Sequence, residues 1–264
     1  MSSLHAATLA VFGLGRLGSQ LAKVAMQRNH RVYGFDSCSL ALRKSGCAPG
    51  VLRQRKDFDI ILLTVKPRSV LPLCRHLEGL PPKARSSTLL LSAAAGVSLR
   101  SIEENAPGFG GYARIMPQVT VGTGEGIIPF FSGSGGKDYA LEIWRLFGNL
   151  ALPLKTESQL DDSTVVSGSG PAFFAWTAEM LGQSRAGQGL PAEKRRLLLA
   201  HTMISTGHAL LREEPLDLIE RVASPGGSTA EALQLMNGAP QRVVQQAFDN
   251  SRRKVEELRD SSLT

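Results

Sequence analysis

Thr8-Leu9-Ala10-Val11-Phe12-Gly13-Leu14-Gly15-Arg16-Leu17-Gly18 is a short, mostly apolar run followed at once by a GxGxxG pattern. The run Thr8 to Phe12 predicts a buried strand, and Leu17 to Arg28 behind it carries the spacing of an amphipathic helix. A strand that ends in glycines and opens a helix is the context in which GxGxxG binds a dinucleotide. Gly13 permits the tight turn, Gly15 lets the backbone approach a pyrophosphate, and Gly18 lets helix and strand pack closely. Leu14, Arg16 and Leu17 complete the loop, and the helix start offers unpaired N–H groups and a positive dipole end to phosphates. A second strand, Arg31 to Phe35, ends in Asp36, 18 residues beyond Gly18. A carboxylate there accepts from ribose hydroxyls and repels a 2′-phosphate, which leans towards NADH. Asp is also a favoured cap for a helix from Ser37 onward. Arg43 or Lys44 could fold back to a 2′-phosphate, so NADH and NADPH both stay open.

Further along, Ile60 to Val65, Thr88 to Ser92, Tyr112 to Met116, Gly126 to Phe131 and Ala151 to Lys155 read as strands. Ser69 to Leu77, Leu99 to Asn105 and Lys137 to Phe147 read as helices between them. Such alternation predicts a doubly wound, mostly parallel α/β sheet of Rossmann type, covered on both faces. Two loops end strands on the ligand-binding edge of that sheet. They are Thr64-Val65-Lys66-Pro67 and Ser92-Ala93-Ala94-Ala95-Gly96, whose small residues let a nicotinamide ring lie close to the backbone.

After about Thr156 the strands stop. Pro171 to Gln183, Pro191 to Leu211, Pro215 to Val222, Ser228 to Met236 and Pro240 to Leu258 carry helical spacing, and four of the five begin with proline, as a first turn tolerates. The expected division is a dinucleotide-binding domain over 1–156 and an all-helical domain over 157–264. A length of 264 residues fits that, at roughly 1.8 domains of ordinary size.

The composition is ordinary globular chemistry, 42% hydrophobic and 20% charged, which excludes a disordered chain. The longest stretch without Asp, Glu, Lys or Arg, Ser163 to Ala178, is broken by Gly168-Ser169-Gly170-Pro171 and falls short of the roughly 20 apolar residues of a membrane span. Met1 to His5 has no charged region of the kind that opens a secretory signal. Cys38, Cys47 and Cys74 form no CxxC pair and leave an odd one over, pointing to free thiols in a reducing, cytoplasmic setting and to no metal site. The net charge of +7 is scattered over Lys194-Arg195-Arg196, Arg252-Arg253-Lys254 and Arg53 to Lys56 without interleaved aromatics. That reads as solvated helix faces, with no nucleic-acid partner and some attraction for small anions.

Two motifs in the helical half sharpen the function: Ser167-Gly168-Ser169-Gly170-Pro171-Ala172-Phe173 and Ser224-Pro225-Gly226-Gly227-Ser228-Thr229. Together with the glycine loop, Val65-Lys66-Pro67 and Ala94-Ala95-Gly96, the chain resembles the pyrroline-5-carboxylate reductase family from about Leu9 to Leu258. The resemblance implies reduction of the cyclic imine 1-pyrroline-5-carboxylate to L-proline by NADPH or NADH. It also implies a helical domain that forms a homodimer or higher homo-oligomer and completes the active site. On the same resemblance, the Thr229 hydroxyl faces the imine nitrogen, and Ser224, Gly226, Gly227 and Ser228 hold the carboxylate of a small anionic imino acid. Consecutive backbone N–H groups at a helix start suit that anion. Asp161 and Thr164 fit the family's spacing, although a surface turn accounts for them equally.

The chain departs from the family at Met116-Pro117-Gln118-Val119-Thr120, where Met-Pro-Asn-Thr-Pro is usual. Gln118 takes the place of an asparagine near nicotinamide and substrate, so a different cyclic imino acid is an alternative substrate. A non-catalytic dinucleotide-binding assembly protein is another alternative. Carbonyl reduction is disfavoured. Hydride addition to a ketone leaves an alkoxide that needs an acid, and the related β-hydroxyacid dehydrogenases keep a lysine where this chain has Phe174. A protonated imine is neutralised by hydride and needs mainly orientation. His201 and His208 share a helix face with Ile204, Ser205 and Leu211, which suits a packed core or subunit interface; Trp176 with Phe173 reads as core.

Overall fold

A computed structural model describes residues 6–50, 57–133 and 139–261. The Met1 to His5 stretch, the Arg53 to Lys56 cluster and Lys137 lie outside the described residues.

The four consecutive apolar residues Ile60–Leu63 form a strand because both faces of a central parallel strand are covered. In chain order the elements of the first part are β1 (Thr8–Phe12), α1 (Arg16–Gln27), β2 (Arg31–Phe35), α2 (Ser39–Ser45), β3 (Ala48–Pro49), β4 (Ile60–Leu63) and α3 (Pro67–Leu77). Then come α4 (Pro82–Arg85), β5 (Leu89–Ser92), α5 (Leu99–Asn105), β6 (Gly111–Ile115), β7 (Ile128–Ser132), α6 (Tyr139–Phe147), β8 (Ala151–Pro153) and α7 (Glu157–Ser163). The sheet order is β3-β2-β1-β4-β5-β6-β7-β8, parallel throughout except between β6 and β7. From β1 the chain winds one way to β2 and β3, then crosses back to β4. The β1/β4 boundary is therefore the switch point where an open α/β sheet leaves a crevice for ligand.

Alternation along the strands fills two cores. Leu9, Val11, Ile60, Leu62 and Leu91 pack with Leu21 and Val24 of α1 and Phe147 of α6. Ala10, Phe12, Ile61 and Leu63 face the other way, onto Val70, Cys74 and Leu77 of α3. Each such aliphatic burial contributes about 1.5–3 kcal/mol. His30 fastens a rim of this unit: its Nδ1 accepts the Ala7 N–H at 3.1 Å, and its Nε2 lies 3.1 Å from the Arg145 carbonyl.

The second part is helical: a π-helical turn over Thr164–Gly168, then α8 (Gly170–Gln183), α9 (Arg185–Gln188), α10 (Ala192–Leu210), α11 (Pro215–Val222), α12 (Ser228–Met236) and α13 (Ala239–Ser261). Every strand expected from the sequence is present, with ends moved by up to two residues, whereas β3, α4, α7 and α9 were not anticipated. By contacts the chain forms two compact units, one of residues up to Ser169 together with those from Arg252 on, the other Gly170–Ser251. Residues 157–169 and the last turns of α13 thus belong with the sheet.

Among the described residues of Gly170–Ser251, no apolar side chain other than glycine is buried. Leu198, Ile204, Leu211, Val222 and Trp176 all stand exposed. His201 and His208 are exposed too. The packed-core alternative for His201, His208 and Trp176 therefore fails within one chain, because all three side chains are exposed. Phe173 does find a partner, the Phe248 ring at 4.9 Å.

Candidate active site

At the end of β1 the chain must turn sharply, and Gly13 does so at φ +93°, its N–H donating to the Phe35 carbonyl at 2.8 Å. A side chain there would be strained and would crowd the Thr64 backbone. A Cβ on Gly18 would overlap the Gly13 carbonyl oxygen, so α1 lies directly on the loop. Thr64 closes the arrangement from β4, its hydroxyl donating to the Phe12 carbonyl at 2.9 Å and also to that of Gly13. Around Gly15 the space is open. Gly15 starts α1 with no side-chain cap, so the first-turn N–H groups at exposed Arg16 and half-buried Leu17 face outward, as a phosphate requires. Leu14 offers only its backbone, for its side chain is buried in the core.

Asp36 is tied into the same loop. One carboxylate oxygen accepts the Leu14 N–H at 2.6 Å, the other the Cys38 N–H at 2.8 Å. It therefore steadies the start of α2, which begins at Ser39 and not at Ser37, while also joining β2 to the glycine turn. It borders a cavity of about 540 Å³ that is lined further by Phe35, Ser37, Leu42, Val65 and Ser69. Leu42, and neither Arg43 nor Lys44, reaches this cavity from α2. The glycine cradle, the open helix start and the carboxylate at the second strand's end fit a dinucleotide.

The other two loops sit at the same sheet edge. Lys66 is exposed and precedes α3, whose first residue is Pro67. Ala94 is buried among Phe12, Val97 and Ile102. Only its backbone, with half-buried Ala95, can face a ligand. Gln118 reaches across to the strand that returns: its Oε1 accepts the Ile127 N–H at 3.3 Å, and Val119 beside it is exposed. Met116 underlies the π-helical turn, within van der Waals reach of a side chain placed at Gly168.

In the helical unit, Ser224 to Gly227 is a tight turn with Gly226 at φ +72° and the Gly227 N–H donating to the Ser224 carbonyl at 2.9 Å. Gly227 precedes α12 without a side-chain cap. The first-turn N–H groups of Ser228 and half-buried Thr229 are thus available to an anion.

Sequence reasoning missed Arg114. It lies 1% exposed in β6, donating to Glu157 Oε1 at 2.7 Å and to Asp161 Oδ1 at 2.9 Å. Asp161 is in α7 and paired, not in a surface turn. The signal was present in the sequence: one arginine inside the apolar run Tyr112 to Met116, where an unpaired charge is untenable. Among the described residues no group of His, Cys, Asp and Glu could hold a metal, and no helix is long and apolar enough to cross a membrane.

Residues 157–258 match the family model for pyrroline-5-carboxylate reductase dimerisation. A pyrroline-5-carboxylate reductase of Mycobacterium tuberculosis is 30% identical over 96% of this chain and 97% of its own length. Pyrroline-5-carboxylate reductase 3 of Xenopus laevis is 31% identical over 72% and 70%. The chain belongs to the pyrroline-5-carboxylate reductase family. The fold agrees: the NADP-bound pyrroline carboxylate reductase of Plasmodium falciparum superposes with a TM-score of 0.83 at 21% identity, covering 96% of this chain and 98% of that one. The Coxiella burnetii pyrroline-5-carboxylate reductase gives 0.81 at 22%, covering 96% and 99%. Within the reductase family the helical segment is the dimerisation element, which accounts for the uncovered apolar side chains of α8, α10 and α11 and makes the protein a homo-oligomer.

Proposed function

We infer that this chain reduces 1-pyrroline-5-carboxylate to L-proline with NAD(P)H. The observation that carries the inference is membership of the reductase family over nearly the whole chain, supported by the dinucleotide cradle at the β1/β4 switch point. When bound, the reduced nicotinamide supplies a hydride to the imine carbon. In the Gly13 to Gly18 loop the first-turn N–H groups of Arg16 and Leu17 hold the pyrophosphate, which Gly15 lets approach, and Asp36 takes the ribose hydroxyls, favouring NADH. Thr64, Val65, Lys66 and Pro67 with Ala94 and Ala95 bed the nicotinamide end. The turn Ser224, Gly226, Gly227 and Ser228 receives the carboxylate, and the Thr229 hydroxyl orients the imine nitrogen. Because the protonated imine loses its charge as the hydride arrives, the residues need to position and not to donate a proton. Residues 1–156 supply the cofactor side and 157–264 the substrate side and the dimer; the setting is cytoplasmic, without nucleic acid or membrane.

A second substrate, another cyclic imino acid, is favoured by Gln118, which stands where the family has a shorter asparagine. Oxidation of NADH and NADPH, followed over a panel of cyclic imino acids with the wild type and Thr229→Ala, tests both. The expected result is fastest turnover of pyrroline-5-carboxylate and a kcat loss of about 10²-fold in the variant, with cofactor affinity unchanged. A different preferred imine would select the second substrate, and tight cofactor binding without turnover of any imine would make the chain a non-catalytic binder.

A further inference from the structure

We propose that Arg114 is a positioning residue that, through Glu157, holds in register the two loops at the nicotinamide end of the sheet, and through Asp161 makes the last turns of α13 part of that support. The proposal rests on the reductase reading only for what is being positioned.

Arg114 stands one residue before the end of β6, so its backbone leads straight into Met116-Pro117-Gln118. Its guanidinium is almost wholly removed from water and spends two donors on two carboxylates of one helix. Glu157 and Asp161 are four residues apart, so both project from one face of α7. The same Oε1 of Glu157 that takes the arginine also accepts the Leu99 N–H at 2.8 Å. Leu99 is the first residue of α5, immediately after the Ala93–Ser98 loop. One carboxylate oxygen thus joins the loop after β5 to the strand that delivers the loop after β6.

The outer side is charged in the complementary sense. Asp161 Oδ2 lies 3.6 Å from Arg259 Nη1, and Asp162 Oδ1 lies 3.1 Å from Arg252 Nη2, both arginines coming from the end of α13. Arg114 Nε, by contrast, is buried with no partner. A buried ionic group with one donor unmet is a poor device for stability, since apolar packing of the same volume does as well or better. What it provides is a single geometry: a planar fork meets two carboxylates in one orientation only. A geometric device next to two ligand-facing loops is a device for placing them.

The experiment is backbone hydrogen exchange on the free protein, compared with cofactor binding and steady-state kinetics, for Glu157→Gln and Arg114→Lys. Expected in Glu157→Gln is at least tenfold faster exchange at Leu99 and over 116–120, with exchange over 13–18 and the dissociation constant for NADPH changed less than threefold. Its kcat should fall at least tenfold at little-changed KM for the cofactor, and Arg114→Lys, which reaches one carboxylate, should lie in between. If Arg114→Lys does not fold, Glu157→Gln, which keeps the side-chain volume and one acceptor oxygen, decides alone. Unchanged exchange at both loops would overturn the proposal, as would loosening spread evenly over the sheet unit. Because exchange needs no substrate, a wild type inactive on every imine would remove the reductase reading and leave this test standing.

Discussion

Asp36 carries two duties at once, and a substitution separates them. Its oxygens hold the Leu14 and Cys38 N–H groups, yet each keeps a lone pair for a ribose hydroxyl. A serine in its place bridges at most one of those N–H groups and brings no charge to repel a 2′-phosphate. Asp36→Ser is therefore expected to raise kcat/KM for NADPH relative to NADH by about tenfold, roughly 1.4 kcal/mol, measured with both cofactors at one imine concentration. A ratio that stays flat while both cofactors weaken equally would leave Asp36 a loop fastener alone. Its position was legible because it sits at a fixed offset from the glycines. Its bond to Leu14 was not, since that contact spans two strands that only the folded sheet brings together.

At the scale of elements, α3 shows how burial fixes thiol chemistry. Cys74 lies in the core under β4, and burial pushes its thiol up to about 11, while Cys47 is raised for the same reason and Cys38 is exposed. A thiol-specific reagent at pH 8 is expected to label one cysteine per native chain and all three after denaturation; rapid labelling of Cys74 would contradict the packing of α3. The sign of the pH effect follows. The unfolded thiol ionises near 9 and the folded one near 11, so across that interval the unfolded state loses a proton that the native state keeps. Stability present below pH 9 is lost as pH climbs towards 11, and Cys74→Ala should flatten part of that fall in a pH series of denaturation curves. Half-buried Tyr112 and buried Tyr139, also raised, would add to that fall. The same physics explains what the sequence disclosed. β1, β4 and β5 are apolar runs that no solvent-facing element tolerates, and α1 and α3 carry a one-sided stripe, so their existence could be read directly. Residues 157–168, Glu-Ser-Gln-Leu-Asp-Asp-Ser-Thr-Val-Val-Ser-Gly, bury only Leu160 of α7. That helix is held by Arg114 and by the Thr156 cap on the Gln159 N–H, long-range and local polar bonds that periodicity does not register. The Ser224–Gly227 turn was legible as a motif, because Gly226 at φ +72° takes a backbone conformation that favours glycine. Gln118 could be named, but its fold-back onto Ile127 depended on the hairpin-like return between β6 and β7.

For the whole molecule, the uncovered helices decide how the protein exists in solution. Leu198, Ile204, Leu211, Leu216 and Val222 are 56%, 56%, 82%, 71% and 56% exposed in a single chain, which is far more apolar surface on one small layer than scattered surface residues would give. A unit of that kind is stable only against another surface, and the dimerisation match over 157–258 names a second copy. Folding and association are then one equilibrium, so the unfolding temperature should rise with protein concentration. On a free surface, Ile204→Lys would change stability by no more than about 0.5 kcal/mol. Inside a subunit interface it buries an unpaired ammonium, so the variant should sediment as a smaller species, melt at least 10 °C lower and lose most turnover. Its glycine loop belongs to the other compact unit, so cofactor affinity per folded chain should persist. Sedimentation velocity across a hundredfold concentration range, alongside thermal melts of both proteins, checks this. A wild type that runs as a monomer at every concentration with an invariant melting temperature would show that these side chains are covered by something other than a second copy.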